Sequence, residues 1–295
     1  MRRILVAALG FLAAVSLQAQ DALPFTRIDR NPVTSAFAGA GSASMGNVAW
    51  SAFSNASVLP LYDGKLDAAV SYQSWAPELG KAMHVNAGIA YKVTPRLGVS
   101  VGYALQKETA SDGFRPSDQV VALGLAYGLG EKWALGLNGR FASQKLTEND
   151  KYSGFSGDAF VAFQPVSALR LTAGVSTLGT KVVSQSGDSF DQPMSAKAAA
   201  DWCLRLADAF GVEAVADADY YFSGEYGASL GAQLDWNEMV FLRGGYRYAS
   251  AGCVIPGHIG LGAGLKFAGF RVDVSWLTGL SALGNTLCAG LGYSF

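Results

Sequence analysis

The chain is poor in the residues on which most soluble chemistry depends. Only 15% of its 295 residues are charged and the formal net charge is −1, which leaves no basic field to hold nucleic acid. It has two histidines, His84 and His258. Both fall on the inward parity of the strands described below, where a base for a surface-facing nucleophile would be misplaced. No catalytic residue is assigned. Three cysteines, Cys203, Cys253 and Cys288, are scattered without metal-ligand spacing. An odd number cannot all pair in one chain, and whether Cys253 joins Cys288 is left open. Neither a metal nor a cofactor is expected. Half of the residues are hydrophobic, yet beyond the first residues no apolar run reaches the ~18 of a membrane-crossing helix. A helical membrane protein is thereby excluded.

Glycine and aromatics are plentiful instead: 36 Gly, 16 Phe and 12 Tyr, spread over many short segments. That is the composition of barrels, sandwiches and propellers. The first residues are of a different kind. Arg2 and Arg3 precede an apolar run from Ile4 to Val15 and then small and polar residues, so residues 1–19 read as a secretory signal peptide cleaved after Ala19. No Cys directly follows the run, so no lipid anchor is indicated.

From Lys65 onward the sequence alternates with period two, the signature of strands with two unlike faces. Near the end, Leu287, Ala289, Leu291, Tyr293 and Phe295 oppose Thr286, Cys288, Gly290, Gly292 and Ser294. The same contrast recurs in fourteen segments, beginning near residues 65, 82, 97, 118, 133, 153, 169, 194, 210, 225, 239, 257, 270 and 285. Most run about 10 to 12 residues, enough for a tilted strand to cross a bilayer. Connections alternate between short turns, such as Asn237-Glu238 and Ala268-Gly269, and longer polar loops, as in outer-membrane barrels with periplasmic turns. The expected fold is therefore an all-β transmembrane antiparallel barrel of about 14 strands over residues 65–295, placed in the outer membrane of a bacterial cell and in contact with its lipid. An aromatic at the end of the last strand, Phe295, fits an outer-membrane insertion signal.

Polarity decides which face meets lipid, because an unpaired basic residue at the bilayer midplane costs roughly 2 to 4 kcal/mol. Charges gather on the small-residue parity: Arg140, Asp158, Lys197, Asp201, Glu213, Asp217, Asp219, Asp235, Arg243, Arg247, Arg271 and Asp273. They are expected to line the lumen, pair across it and stiffen the wall. Asp217, Asp219 and Glu213 sit at alternate positions of one strand and do not converge on an ion by themselves. Aromatics gather at strand ends, with Tyr91, Tyr127, Trp133, Phe163, Phe210, Trp236, Phe267, Phe270 and Tyr293 beside the short turns. Tyr72, Trp75, Tyr103, Phe155, Tyr220 and Tyr246 lie toward the long loops. Two such girdles mark the interfaces of a bilayer. A soluble sandwich would expose a charged face rather than one of Gly, Ala and Ser.

Residues 20–64 do not alternate, and their small residues in series allow close packing against a wall. They are expected to plug the periplasmic mouth, with Phe37, Met45, Trp50, Phe53, Asn55 and Leu59 as its core or as the lining of an apolar pocket. An Arg, then the Ala/Gly-rich stretch Ala36 to Met45, then Asn55 to Leu59 just before the first strand, resembles the N-terminal pattern of the PorV/PorQ family. That family is a branch of the FadL-like outer-membrane barrels in the Bacteroidota. Ala56 and Ser57 depart from that pattern, standing where Pro and Ala would be. The resemblance implies one of two roles. PorV-like members are partners of export and surface-attachment machinery; FadL-like members pass hydrophobic small molecules through wall or lumen. The first is preferred here: a non-enzymatic subunit of a larger outer-membrane complex, or a holder of surface-exposed client proteins. Its contacts would come from the loop residues Phe114, Arg115, Phe190, Tyr221 and Phe222. The alternative is a transporter with a hydrophobic ligand.

Overall fold

Large apolar residues at every second position can all be satisfied at once only if the strands close into a ring with lipid outside, since an open edge has no partner in hydrocarbon. The computed structural model describes residues 23–46, 48–75, 82–108, 114–147, 150–183, 187, 189–279 and 285–295. The expected leader and its cleavage site lie outside these residues. Fourteen strands form a closed antiparallel barrel: β1 (Leu66–Trp75), β2 (Ala82–Lys92), β3 (Leu97–Lys107), β4 (Ser117–Gly128), β5 (Trp133–Lys145), β6 (Lys151–Val166), β7 (Leu169–Gly179), β10 (Ser195–Ala207), β11 (Phe210–Tyr221), β12 (Tyr226–Trp236), β13 (Val240–Ala249), β14 (His258–Phe267), β15 (Phe270–Gly279) and β16 (Thr286–Ser294). The ring closes through β1 and β16, with Ser71 opposite Gly290. Between β7 and β10, β8 (Val182–Val183) and β9 (Ser189–Phe190) make a small separate hairpin. Every strand of the barrel begins within two residues of the position expected from alternation, whereas β8 and β9 fall outside that expectation. At the tight end, Asn237-Glu238 and Ala268-Gly269 all take positive φ, the geometry whose twist suits a two-strand hairpin.

The faces divide as polarity requires. Along β4, Val120, Ala122 and Ala126 are buried while Val121, Leu123, Leu125 and Tyr127 face outward. Tyr91, Tyr127, Trp133, Phe210, Trp236, Phe267, Phe270 and Tyr293 form the turn-side girdle, and Phe163, half-buried, stacks on Trp133 at 4.2 Å. Tyr72, Tyr103, Phe155, Tyr220 and Tyr246 form the loop-side one. Trp75 does not join them. It falls on the parity of Ser71 and Gln73, turns into the lumen and stacks on His84 at 5.9 Å. An outward band of apolar residues between two girdles is the surface of an outer-membrane barrel, and no helix among the described residues is long and apolar enough to cross a membrane.

Residues 23–61 fill the lumen as short turns: 3-10 turns at Pro24–Arg27, Val48–Trp50 and Ala56–Leu61, and one helical turn, α1 (Pro32–Ala36). Asn31 caps α1 by accepting from the Val33 N–H at 2.9 Å, with Pro32 at the first position. The segment is not confined to the turn-side mouth. Leu23, Phe25 and Ile28 pack among Trp75, Ala82, Ala104, Val120, Ala142 and Leu277, all at loop-side strand ends, whereas Leu59 lies against Gly98 beside a short turn. The plug thus runs the length of the barrel.

Its contacts explain the inward glycines. Phe37 lies on Gly231 and Gly245, Ala36 on Gly260 and Gly262, Phe53 on Gly102 and the Ser57 backbone on Gly136. A side chain at these positions would overlap the plug. Gly136→Val is expected to force residues 55–61 off the wall, at about 1 to 3 kcal/mol. Hydrogen exchange should then speed up roughly tenfold or more at those amides, while the folded barrel keeps its faster migration in unheated gels. Unchanged exchange would show that close approach to Gly136 does not hold the plug.

Candidate functional site

The lumen charges meet the plug before they meet each other. Asp217 accepts from Gly41 N–H at 2.8 Å and from the Ser42 hydroxyl, and Glu213 accepts from Ser44 Oγ at 2.6 Å. Asp67 accepts from Ala49 N–H at 3.1 Å. Arg170 donates to Ala43 O at 2.6 Å, Ser229 to Ala38 O at 2.8 Å, Ser71 to Arg30 O at 2.7 Å and Asn138 to Ser51 O at 3.0 Å. Each replaces water that the short turns of the plug would otherwise need, and bonds to charged groups contribute about 1.5 to 3 kcal/mol apiece. Inside the plug, Asn55 accepts from Ser57 N–H and donates to Ser42 O, both at 3.0 Å.

The ion pairs run along the wall rather than across the lumen, because the plug occupies the centre. Arg140 pairs with Asp158, and Arg170 with Asp201 at 2.6 Å, on neighbouring strands. Three pairs reach over an intervening strand: Arg243 to Asp273 at 2.6 Å, Arg247 to Asp219 at 3.2 Å and Arg271 to Asp67 at 2.7 Å. In each case a glycine lies beneath the guanidinium, Gly264, Gly227 and Gly292 respectively. Asp67 and Arg170 are not among the charges singled out in the sequence, although their parity is the inward one. Lys197 engages both Asp217 at 3.7 Å and Asp219 at 3.3 Å, so these carboxylates have a cation already. The carboxylates of Asp201 and Glu213 and the Cys203 sulfur fall within 4.8 Å of one another, but Arg170 holds Asp201 there. All three cysteines are free.

A cavity of about 190 Å³ opens between the plug and the loop-side half of the wall. Trp50, Phe53, Trp75, Phe160, Ile255 and Leu277 supply its apolar side; Arg140, Lys197, Asp219, Arg247 and His258 supply a polar one. Trp50, Phe53 and Asn55 border it, whereas Phe37, Met45 and Leu59 do not: Phe37 packs with Val33, Ala40 and Val215, and Leu59 with Met45 and Val58. The six thus belong to separate small cores and one cavity. Beside it, Arg30 donates to Ile28 O at 3.0 Å and Phe25 O at 3.2 Å. Burial, reinforced by Arg140, pushes its guanidinium down to about 10, still cationic at neutral pH. Burial raises the Asp29 carboxyl, against hydrogen bonds from Thr34 and Asn31.

The wall is irregular at this level. Between the pairs Gly157–Leu178 and Ala159–Val175 the β6–β7 register slips by a residue, with Thr177 at φ 58°. Asp158 fills the gap, accepting from Thr177 N–H at 2.7 Å and Ser176 Oγ at 2.8 Å. Both residues line the cavity.

Of the loop residues, Phe222 and Arg115 are exposed and Phe114 is half-buried. Tyr221 is buried on the inward parity beneath the Arg27 guanidinium, 3.9 Å from its ring centroid. Phe190 folds over the barrel mouth against Tyr152. Two strings, Gly98-Val99-Ser100-Val101-Gly102 and Gly227-Ala228-Ser229-Leu230-Gly231, have the spelling of a nucleophile elbow. Both lie within strands, however, with their serines buried against the plug or a neighbouring wall residue.

No protein-family model and no curated protein matches the chain. Solved structures do. A monoaromatic hydrocarbon channel, CymD, superposes with TM-score 0.64 at 12% identity, covering 91% of this chain and 97% of its own. The toluene transporter TodX of Pseudomonas putida gives 0.58 at 14%, covering 90% and 97%. A FadL homologue of Pseudomonas aeruginosa gives 0.52 at 12%, covering 90% and 95%. At such identities the likeness is one of fold alone, a closed barrel like that of these outer-membrane channels.

The wall pairs yield a test independent of the plug. Arg243→Met alone leaves Asp273 buried without its cation and is expected to cost about 3 kcal/mol, most of which Asp273→Leu restores in the double variant. Urea unfolding from lipid vesicles measures both; a double variant no better than the single one would refute the pairing.

Proposed function

We propose that the protein is a non-enzymatic outer-membrane channel that takes up a small hydrophobic molecule with a polar end. The observation that carries this is the two-sided cavity between plug and wall, with Trp50, Phe53, Trp75 and Leu277 facing Arg140, Lys197 and Arg247. A dry cavity of ~150 Å³ suffices for benzene, so about 190 Å³ suits one ring-sized molecule and not a folded chain. The fold shared with hydrocarbon channels supports the reading. The β6–β7 slip beside the cavity supports a way out through the wall, since the ladder is already broken there, whereas a route down the lumen must undo the glycine contacts of the plug.

The role of a complex subunit or client holder rests on the PorV/PorQ-like stretches Ala36 to Met45 and Asn55 to Leu59 and on loop contacts. With Phe190 folded inward and Tyr221 beneath Arg27, less of the loop surface supports it.

p-Cresol, a single ring with one polar end, is the probe. The folded, detergent-solubilised protein is expected to retain it stoichiometrically by mass spectrometry, and Trp75→Ala to weaken retention roughly tenfold through loss of an aromatic contact. Failure to retain p-cresol or any other ring-sized hydrophobic probe with a polar end, together with recovery of a fixed set of outer-membrane partners after mild extraction, would sink the channel reading in favour of the subunit one.

A further inference from the structure

The outer surface is not uniform around the ring. On β3 to β6 three outward-facing rows stack in register. The innermost is Tyr103, Val121, Phe141 and Phe155, all exposed, with the Phe141 and Phe155 rings 4.9 Å apart. Two residues toward the loops comes Leu105, Gln119, Ser143 and Ser153, and two further Lys107, Ser117, Lys145 and Lys151. Arg115 lies two residues before Ser117 on the same parity, and all four cations are exposed. Lys145 and Lys151 stand directly opposite each other, where like charges are destabilising and Cβ atoms lie about 5 Å apart. Lys107 is two strand spacings from Lys145, about 10 Å. Among the described residues no acid lies within ion-pair distance of any of them. Asp150, the described acid of the intervening loop, accepts from Thr147 Oγ1 at 3.0 Å instead. Elsewhere on this rim Lys181 is answered by Asp191 at 3.6 Å, and the arc of β11 to β13 carries Tyr220, Phe222, Tyr226, Tyr246 and Tyr248.

We propose that this arc binds a phosphorylated glycolipid of the outer leaflet. The rows follow the layers of such a molecule. Aromatic rings meet the base of its acyl chains, Gln119, Ser143 and Ser153 meet the sugar hydroxyls and amides, and the four cations meet the phosphates. The Lys145 ammonium lies over the Phe114 ring, 5.2 Å from its centroid, but no described carboxylate pairs with Lys145 or Lys151; an anion there removes their repulsion, and a basic residue near an anionic membrane surface contributes about 1 kcal/mol. A phospholipid headgroup could meet the cations, but it has no sugar to use the middle row.

The test is native mass spectrometry of the whole protein in detergent with diphosphoryl lipid A, its phosphate-free form and phosphatidylglycerol as separate probes. The wild type is expected to hold diphosphoryl lipid A through detergent exchange. The triple variant Lys107→Gln, Lys145→Gln, Lys151→Gln should bind it roughly tenfold to a hundredfold more weakly, with migration in unheated gels confirming the fold. Replacing Lys132 and Arg96, on the turn-side rim, should change nothing. Equal binding by wild type and triple variant would overturn the proposal, and so would binding of phosphatidylglycerol as tight as that of diphosphoryl lipid A.

Discussion

Everything inside this barrel depends on backbone touching backbone. A plug made of single helical turns has few side chains to bury and many unpaired N–H and C=O groups, so it is held only if the wall approaches closely and offers polar partners. Glycine at Gly88, Gly136, Gly245 and Gly260 supplies the approach, since a side chain there would meet the carbonyls or backbone of Ala49, Ser57, Phe37 or Ser35. Asp67, Asp217, Arg170 and Asn138 supply the partners. The small-residue parity of the strands is thus the imprint of the plug on the wall.

That arrangement also accounts for the number of buried charges. A lone buried ion in a narrow lumen would be costly, and even a pair of ions is of doubtful net benefit. Here most of them do two things: Arg170 pairs with Asp201 and holds Ala43 O, and Asp217 faces Lys197 while gathering Gly41 and Ser42. Because each guanidinium that crosses a strand lies over a glycine, the charges lie flat against the wall and leave the centre to the plug.

The barrel was legible because its physics is local. Period-two alternation, turn residues such as Asn237-Glu238 and aromatics at strand ends each act within about ten residues, and they located all fourteen strands. The same rule misplaced Trp75: an aromatic at a strand end suggests a girdle, but its parity, shared with Ser71 and Gln73, sends it inward. Tyr221 is alike, an aromatic at a loop tip whose parity follows Asp217 and Asp219. The reach of the plug was not legible. Residues 23–61 have no period, and their conformation is set by a wall formed up to about 260 residues later, as with Pro32 against Gly290. The small hairpin of β8 and β9 was hidden as well, since among the described residues its polar loop contributes little more than Val182, Phe190, Gln192 and Pro193 to the barrel mouth.

The plug and the cavity constrain each other. If residues 23–61 moved as one body to open a path, the wall would lose its polar partners together and expose Asp67, Asp217 and Arg170 to an emptied lumen, a cost spread over the whole length of the barrel. The cavity, by contrast, lies at the loop-side end of the plug, where the wall is irregular and where Ser176 and Thr177 are held by one carboxylate, Asp158. Rearranging that single cluster breaks far fewer bonds than lifting the plug. A molecule bound beside Phe53 and Trp75 therefore meets its weakest barrier sideways, toward lipid, and a mainly hydrophobic cargo is the kind that such an exit suits.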